Sequence, residues 1–349
     1  MSITPFTTVP SPTSVGTFDA DAWVFFAQLT GLFVTEMNAT AAQCVLNATT
    51  NLSIGSIQGT IGPTGIKNRV INGDMRIAQR ATSATVTAGT TVPTVSTGYP
   101  CVDRFYVYSV GGNPTAAQVV GSGSVQNRLQ ITGAAGVTSI GAGTRIEKNN
   151  CYDLAGNTVT LSVDIANSLL TTVTWKASYA TTADTFGTIA APTKTQIATG
   201  TFTVNSTVAN YQAQISIPAA ATTGIEILFT VGAQISGTWT IGSVQLEKNA
   251  VATAFEYRPL QFEMALCYRY FELSQPVTFR VFQNATFTAG VFYSFKAEKR
   301  VSPTIVLSGT SNVDMANPNT SGVEIGKNSC SSSGPIYCVA TIAAHSEIA

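Results

Sequence analysis

The chain has 349 residues, of which only 10% are charged, with 18 Lys plus Arg balanced against 18 Asp plus Glu. That balance, and the lack of a basic run interleaved with aromatics, excludes a nucleic-acid groove as the main function. The most apolar window, 22–34, is broken by Gln28, Thr30 and Gly31 and falls short of the ~20 residues a membrane-spanning helix needs, so no membrane insertion is expected.

Residues 1–17 hold three prolines among Ser and Thr and are expected to form an extended N-terminal arm. Over 18–48, Trp23, Phe26, Leu29, Phe33 and Met37 recur at three- and four-residue spacing behind Asp19 or Asp21 as N-cap, which predicts an amphipathic helix. Its flank also carries Phe25, Leu32 and Val34, too much apolar surface for a helix alone in water. Self-association through the Trp23–Met37 stripe and packing on the chain's own β-domain both answer that surface, and periodicity does not choose between them. The Gly- and Ser-rich stretch 49–66 loses the helical period and reads as a linker. The first basic residue is Lys67, so no secretory leader with a basic start is expected.

From 67 to 260 the chain reads as short strands separated by turns. Threonine supplies about one residue in seven of the whole chain, a composition suited to half-buried strands. Val159, Leu161, Val163 and Ile165 alternate with polar neighbours, giving one wet and one dry face. Two facing sheets follow, in a β-sandwich of the jelly-roll kind. Segments 261–273 and 274–349 are expected to be a connecting helix and a smaller C-terminal β-domain. The fold class is thus all-β with an N-terminal helix. Gly121 and Gly141 each open a G-x-G pattern that lacks the third glycine of a phosphate-binding loop, and both read as turns.

Catalytic chemistry has little to draw on. His345 is the only histidine, so sites built on several imidazoles are excluded and a Ser-His-Asp triad would have to use it. Paired carboxylates for glycoside hydrolysis remain open among Asp103, Glu147, Asp153, Asp164 and Asp184. Six cysteines are widely spread; only Cys330 and Cys338, flanking a hairpin-like turn, are placed to bridge. No catalytic residue, cofactor or metal is assigned. Aromatics are the better functional clue, because sugars stack their apolar faces on rings while amides and hydroxyls take their hydroxyl groups. Phe292 and Tyr293 are expected mainly in the core. Tyr179, Phe186 and Tyr337, beside loop-like sequence, and Asn317 in a distal loop are the candidate glycan or receptor contacts.

Two stretches carry a family resemblance. NRVINGDMRIAQRA at 68–81 with YPCVDRFYV at 99–107, and VQLEKNAVATAFEYRPLQFEMALCYRYFE at 244–272, resemble the opening and close of a jelly-roll domain in bacteriophage tail-fibre proteins. RVSPTIVL and the terminal AAHSEIA are similar to the small distal β-domain of such fibres. The resemblance implies a non-enzymatic virion structural protein located on a tail appendage and made in the bacterial host's cytoplasm. It also implies a homotrimer anchored to other tail or baseplate proteins through residues 1–66, with its β-domains facing a host cell-surface glycan. A virion part without receptor binding, a polysaccharide-degrading appendage and a monomeric lectin are the alternatives. The jelly roll is also similar to carbohydrate-binding modules that hold a structural calcium through an acid where this chain has Arg76. The expectation is that Arg76 instead pairs with Glu247 of the closing strand.

Overall fold

In the computed structural model the described residues are 66–348 other than 124, 282–288, 314 and 328–335. They belong to one compact unit, Gly65–Ala349. The predicted arm, the helix with Trp23, Phe26, Leu29, Phe33 and Met37, nearly all of the linker, and the Cys330–Cys338 pairing lie outside the described residues.

Alternating residues build the larger body. One sheet has six strands in the order β1 (Ser83–Thr85), β3 (Thr115–Val120), β4 (Asn127–Thr132), β11 (Thr238–Glu247), β6 (Thr158–Asn167) and β9 (Ala209–Ser216). The other has five, in the order β2 (Phe105–Val110), β5 (Ser139–Ile146), β10 (Ile225–Val231), β7 (Thr172–Ala180) and β8 (Lys194–Thr203). Neighbouring strands pair antiparallel throughout, as in β6 with β11 and β10 with β7. Val159, Leu161, Val163 and Ile165 of β6 meet Ile225, Ile227 and Phe229 of β10 in one core. The G-x-G at Gly141 is not a turn but the middle of β5. Its glycines are required because the rings of Tyr108 and Tyr106 lie across Gly141 and Gly143, where a Cβ would collide.

The opening segment completes the larger sheet. β4 pairs with β11 only as far as Leu129 and Ile241, and β11 then bulges between Gly242 and Gln245, with Ser243 at φ 46°. Residues 68–73 take the edge that β4 leaves. Arg69 N–H donates to the Leu246 carbonyl (2.9 Å) and Val244 N–H to that of Gly73 (2.9 Å). Gly73 admits no side chain, since its Cβ would strike the Val244 carbonyl. Asn72, at φ 57°, holds the following turn by donating to the carbonyls of Ile77 (2.8 Å) and Asp103 (2.9 Å). This register overturns the expected Arg76–Glu247 pair. Glu247 is the last residue of β11, next to Leu246, which pairs with Arg69, whereas the turn at 72–75 carries Arg76 off the Val244 end. Arg76 pairs with Asp74 and donates to the Arg258 carbonyl (2.6 Å), while Glu247 accepts from Thr253 N–H (2.7 Å) and hydroxyl (2.8 Å).

The connecting helix is shorter than predicted. It is α1 (Leu260–Tyr268), and Phe271–Leu273 is a strand, β12, because it pairs with the final strand β18 (Ile336–His345). β12 and β13 (Val277–Val281) lie end to end on one edge of β18, and β15 (Thr304–Ser311) takes the other. Ser274 bridges the gap, its N–H donating to the Ile342 carbonyl (2.9 Å) and its hydroxyl accepting from Ile342 N–H (2.9 Å). A three-stranded sheet, β14 (Ala289–Ser294), β17 (Gly322–Lys327) and β16 (Met315–Pro318), packs on it around Val323, Ile325, Ala340 and Ile342.

The smaller sandwich is tied to the larger by charge. Glu347, fully buried near the end of the chain, accepts from Arg104 and from Arg80 (3.1 Å). Arg145 donates to the Ile348 carbonyl (3.0 Å), and Ser346 N–H to that of Tyr270 (2.8 Å). The Arg104 and Arg80 guanidinium groups lie 3.6 and 3.7 Å from the ring centres of Tyr270 and Phe271. Desolvated charges persist only where paired, and here both signs are supplied.

Candidate functional site

The four candidate contacts do not converge. Phe186 is fully buried, packed with Ala180, Tyr270 and Ile348, so it is core rather than a surface contact. The loop-like sequence around it concealed partners some 80 and 160 residues further along the chain. Tyr179 is half-buried against the main core, between Ile225 and Thr195 of the neighbouring strands. Tyr337 is 52% exposed on β18, and Asn317 is exposed on β16. These last two belong to different sheets and point away from the core on opposite sides of the small sandwich.

The carboxylates considered for hydrolysis are each engaged separately. Asp103 accepts from Gln79 N–H (3.1 Å) and lies 3.6 Å from Arg80. Arg269 grips Glu147 through two bonds (2.9 and 3.0 Å), and Tyr270 donates to the same carboxylate (3.0 Å). Burial opposes that charge, but the Arg269 and Tyr270 contacts prevail and hold Glu147 below its ordinary pKa. Asp153 pairs with Arg69 (2.7 Å), Asp164 accepts from Asn210 (3.0 Å), and Asp184 accepts from Lys148 N–H (2.7 Å). Among the described residues no three His, Cys, Asp or Glu side chains gather as a metal site.

The outer face of the five-stranded sheet is covered by its own chain. Tyr99, Tyr106, Tyr108 and Leu228 pack there under Val92 and Ile189. The two covering loops are zipped together by Ile189 N–H to the Val92 carbonyl (3.0 Å) and Ala190 N–H to that of Thr90 (2.8 Å). Beside them lies a cleft of about 250 Å³, lined by Thr85, Val86, Val92, Thr97, Tyr99 and Val107 with no charged group.

A different face collects the right chemistry. On β14, Val291 and Tyr293 turn into the small core, so Gly290, Phe292 and Ser294 face out. On β17, Val323 and Ile325 turn in, so Glu324 faces out between Gly322 and Gly326. On β16, Ala316 turns in and Asn317 out. The register sets Phe292 directly opposite Glu324, and Glu324 directly opposite Asn317. A ring, a carboxylate and an amide therefore stand in one row across three strands, about 10 Å long at the usual strand spacing. Phe292 is 51% exposed, and Glu324 and Asn317 are exposed. The Phe292 ring lies across Gly322, and Glu324 lies beside Gly290, so the missing side chains keep the row flat and open. A ring face for stacking next to hydrogen-bonding groups suits a sugar. Asn317 is the one sequence candidate in the row. Glu324 was missed, although its place between Val323 and Ile325 in an alternating strand marks it as outward.

No protein-family model matches the chain, and no curated protein matches it in sequence. Solved structures similar to it include the enzymatically active domain of tailspike protein 4 from bacteriophage CBA120. The identity is 17% over 52% of this chain and 21% of that one, with a TM-score of 0.30, so the chain spans about a fifth of the tailspike's length. A putative sugar binding protein from Bacteroides thetaiotaomicron matches at 12% identity, covering 52% of this chain and all of that one, with a TM-score of 0.33. A family 11 carbohydrate-binding module from Clostridium thermocellum, in complex with a β-1,3-1,4-mixed-linked tetrasaccharide, matches at 13% identity over 48% and 99%, with a TM-score of 0.29.

Proposed function

We propose that the protein is a non-enzymatic structural component of a bacteriophage tail appendage that adheres to a host-surface glycan through its small distal sandwich. The observation that carries the adhesive part is the exposed row Phe292, Glu324 and Asn317. The phage assignment is supported by the resemblance of 68–81, 99–107 and 244–272 to tail-fibre domains. In this reading residues 1–66 anchor the chain to other tail or baseplate proteins and assemble it as a homotrimer. Three copies raise avidity by effective concentration, so a weak contact at each row is enough to hold a particle.

Binding of the purified chain to an array of bacterial surface polysaccharides tests the proposal. Phe292→Ala removes the stacking surface from an exposed position and is expected to weaken binding at least tenfold without lowering Tm. Equal binding by the two proteins overturns the assignment of this face.

A further inference from the structure

Three buried carboxylates of the distal sandwich and its attachment are neutralised where they stand. Glu272 accepts from Lys299 (2.7 Å), the Tyr293 hydroxyl (2.8 Å) and Lys296 N–H (3.0 Å). Glu263 is held by Arg258 (3.1 and 3.2 Å), and Glu347 by Arg104 and Arg80. Glu324 differs: it is exposed and has no ion-pair or hydrogen-bond partner among the described residues. Among the described residues it is also the only ionisable one that strand alternation places on the outer face of its sheet. Phe292, Ser294 and Asn317 bring no charge, and the glycines beside it bring no side chain.

We infer, on the reading that this row binds a glycan, that Glu324 selects the sugar by charge, favouring a hexosamine with a free ammonium group over a neutral hexose and both over a uronic acid. An ionised carboxylate only accepts hydrogen bonds, so it needs donors from the ligand. An ammonium group supplies up to three and makes them charge-assisted. Phe292 stands directly across the strand pair from Glu324, so the same sugar can meet both side chains. A sugar carboxylate meets the opposite situation, a like charge with no cation among the described residues of the face to offset it. At 4 Å in water each of these effects is a factor of about five, so the extremes differ by about 25-fold at low salt. The difference shrinks as the screening length falls to about 3 Å in 1 M salt.

The test uses the full chain and β-1,4-linked oligosaccharides of equal length built from hexosamine, hexose or hexuronic acid, in gluco and galacto configuration, titrated calorimetrically in 10 mM and 1 M salt. The expected result is an affinity order of amine, neutral, acid that spans at least tenfold in 10 mM salt and collapses in 1 M salt. Glu324→Gln is expected to erase the order while retaining the neutral ligand. Equal affinities for the three charge types, or an order that persists in Glu324→Gln, overturns the charge selection and leaves the glycan site standing. Failure of every oligosaccharide to bind, or binding indifferent to Phe292→Ala, overturns the site itself.

Discussion

Asp103 and His345 titrate in overlapping ranges and pull in opposite directions. Burial pushes the Asp103 carboxyl up to about 6, against the opposing pull of Arg80 and Gln79. The folded chain then keeps a proton that the unfolded chain releases, so the contribution of Asp103 favours folding below about pH 4 and is lost as pH rises through about 6. Burial, aided by Arg80, pushes His345 down to about 4, with Glu347 pulling the other way. Its contribution is present above about pH 6.5 and is lost as pH falls through about 4. Relative to wild type, Asp103→Asn should gain Tm more steeply from pH 4 to 6.5, and His345→Asn less steeply. Parallel curves for all three proteins would refute the opposed titration. At this scale the sequence was readable where alternation decides a residue's direction, as for Val159 and Leu161, and unreadable where distant residues do; Asn317, expected in a distal loop, stands instead on strand β16. Phe186 is covered by Tyr270 and Ile348, which no local pattern around it announces.

Strands such as β6 were legible because one face is dry and the other wet. β5 was not, because Tyr106 and Tyr108 cover its outer side and replace alternation by glycines. The helix boundary at Tyr268 was missed for a similar reason: Phe271–Leu273 continues the helical spacing but gains hydrogen bonds from β18. The terminal Ser346, Glu347 and Ile348 form the element with the largest consequence for its size, since all three are buried and Glu347 answers two guanidinium groups. Removing one partner of a buried pair leaves an uncompensated charge and costs about 3–5 kcal/mol. Glu347→Ala should lose about that much in denaturant unfolding at pH 7, and a loss below about 1 kcal/mol would contradict the role of this peptide as a clamp.

Across the described residues, a small sandwich is joined to a larger one through buried ion pairs, and the row of Phe292, Glu324 and Asn317 faces away from the core that joins its two sheets. Under the proposed function, such a mount would suit a weak site that acts in several copies. If residues 18–48 assemble the chain as proposed, light scattering of the full-length protein should give the mass of three chains, and a single-chain mass would remove the avidity argument. The most direct measurement is a crystal structure of the chain with a bound oligosaccharide identified on the array. A sugar ring is expected stacked on Phe292, with its hydroxyl or amino groups on Glu324 and Asn317. A sugar seated instead in the cleft beside Tyr99 and Val86, or at Tyr337 on the opposite sheet, would contradict it.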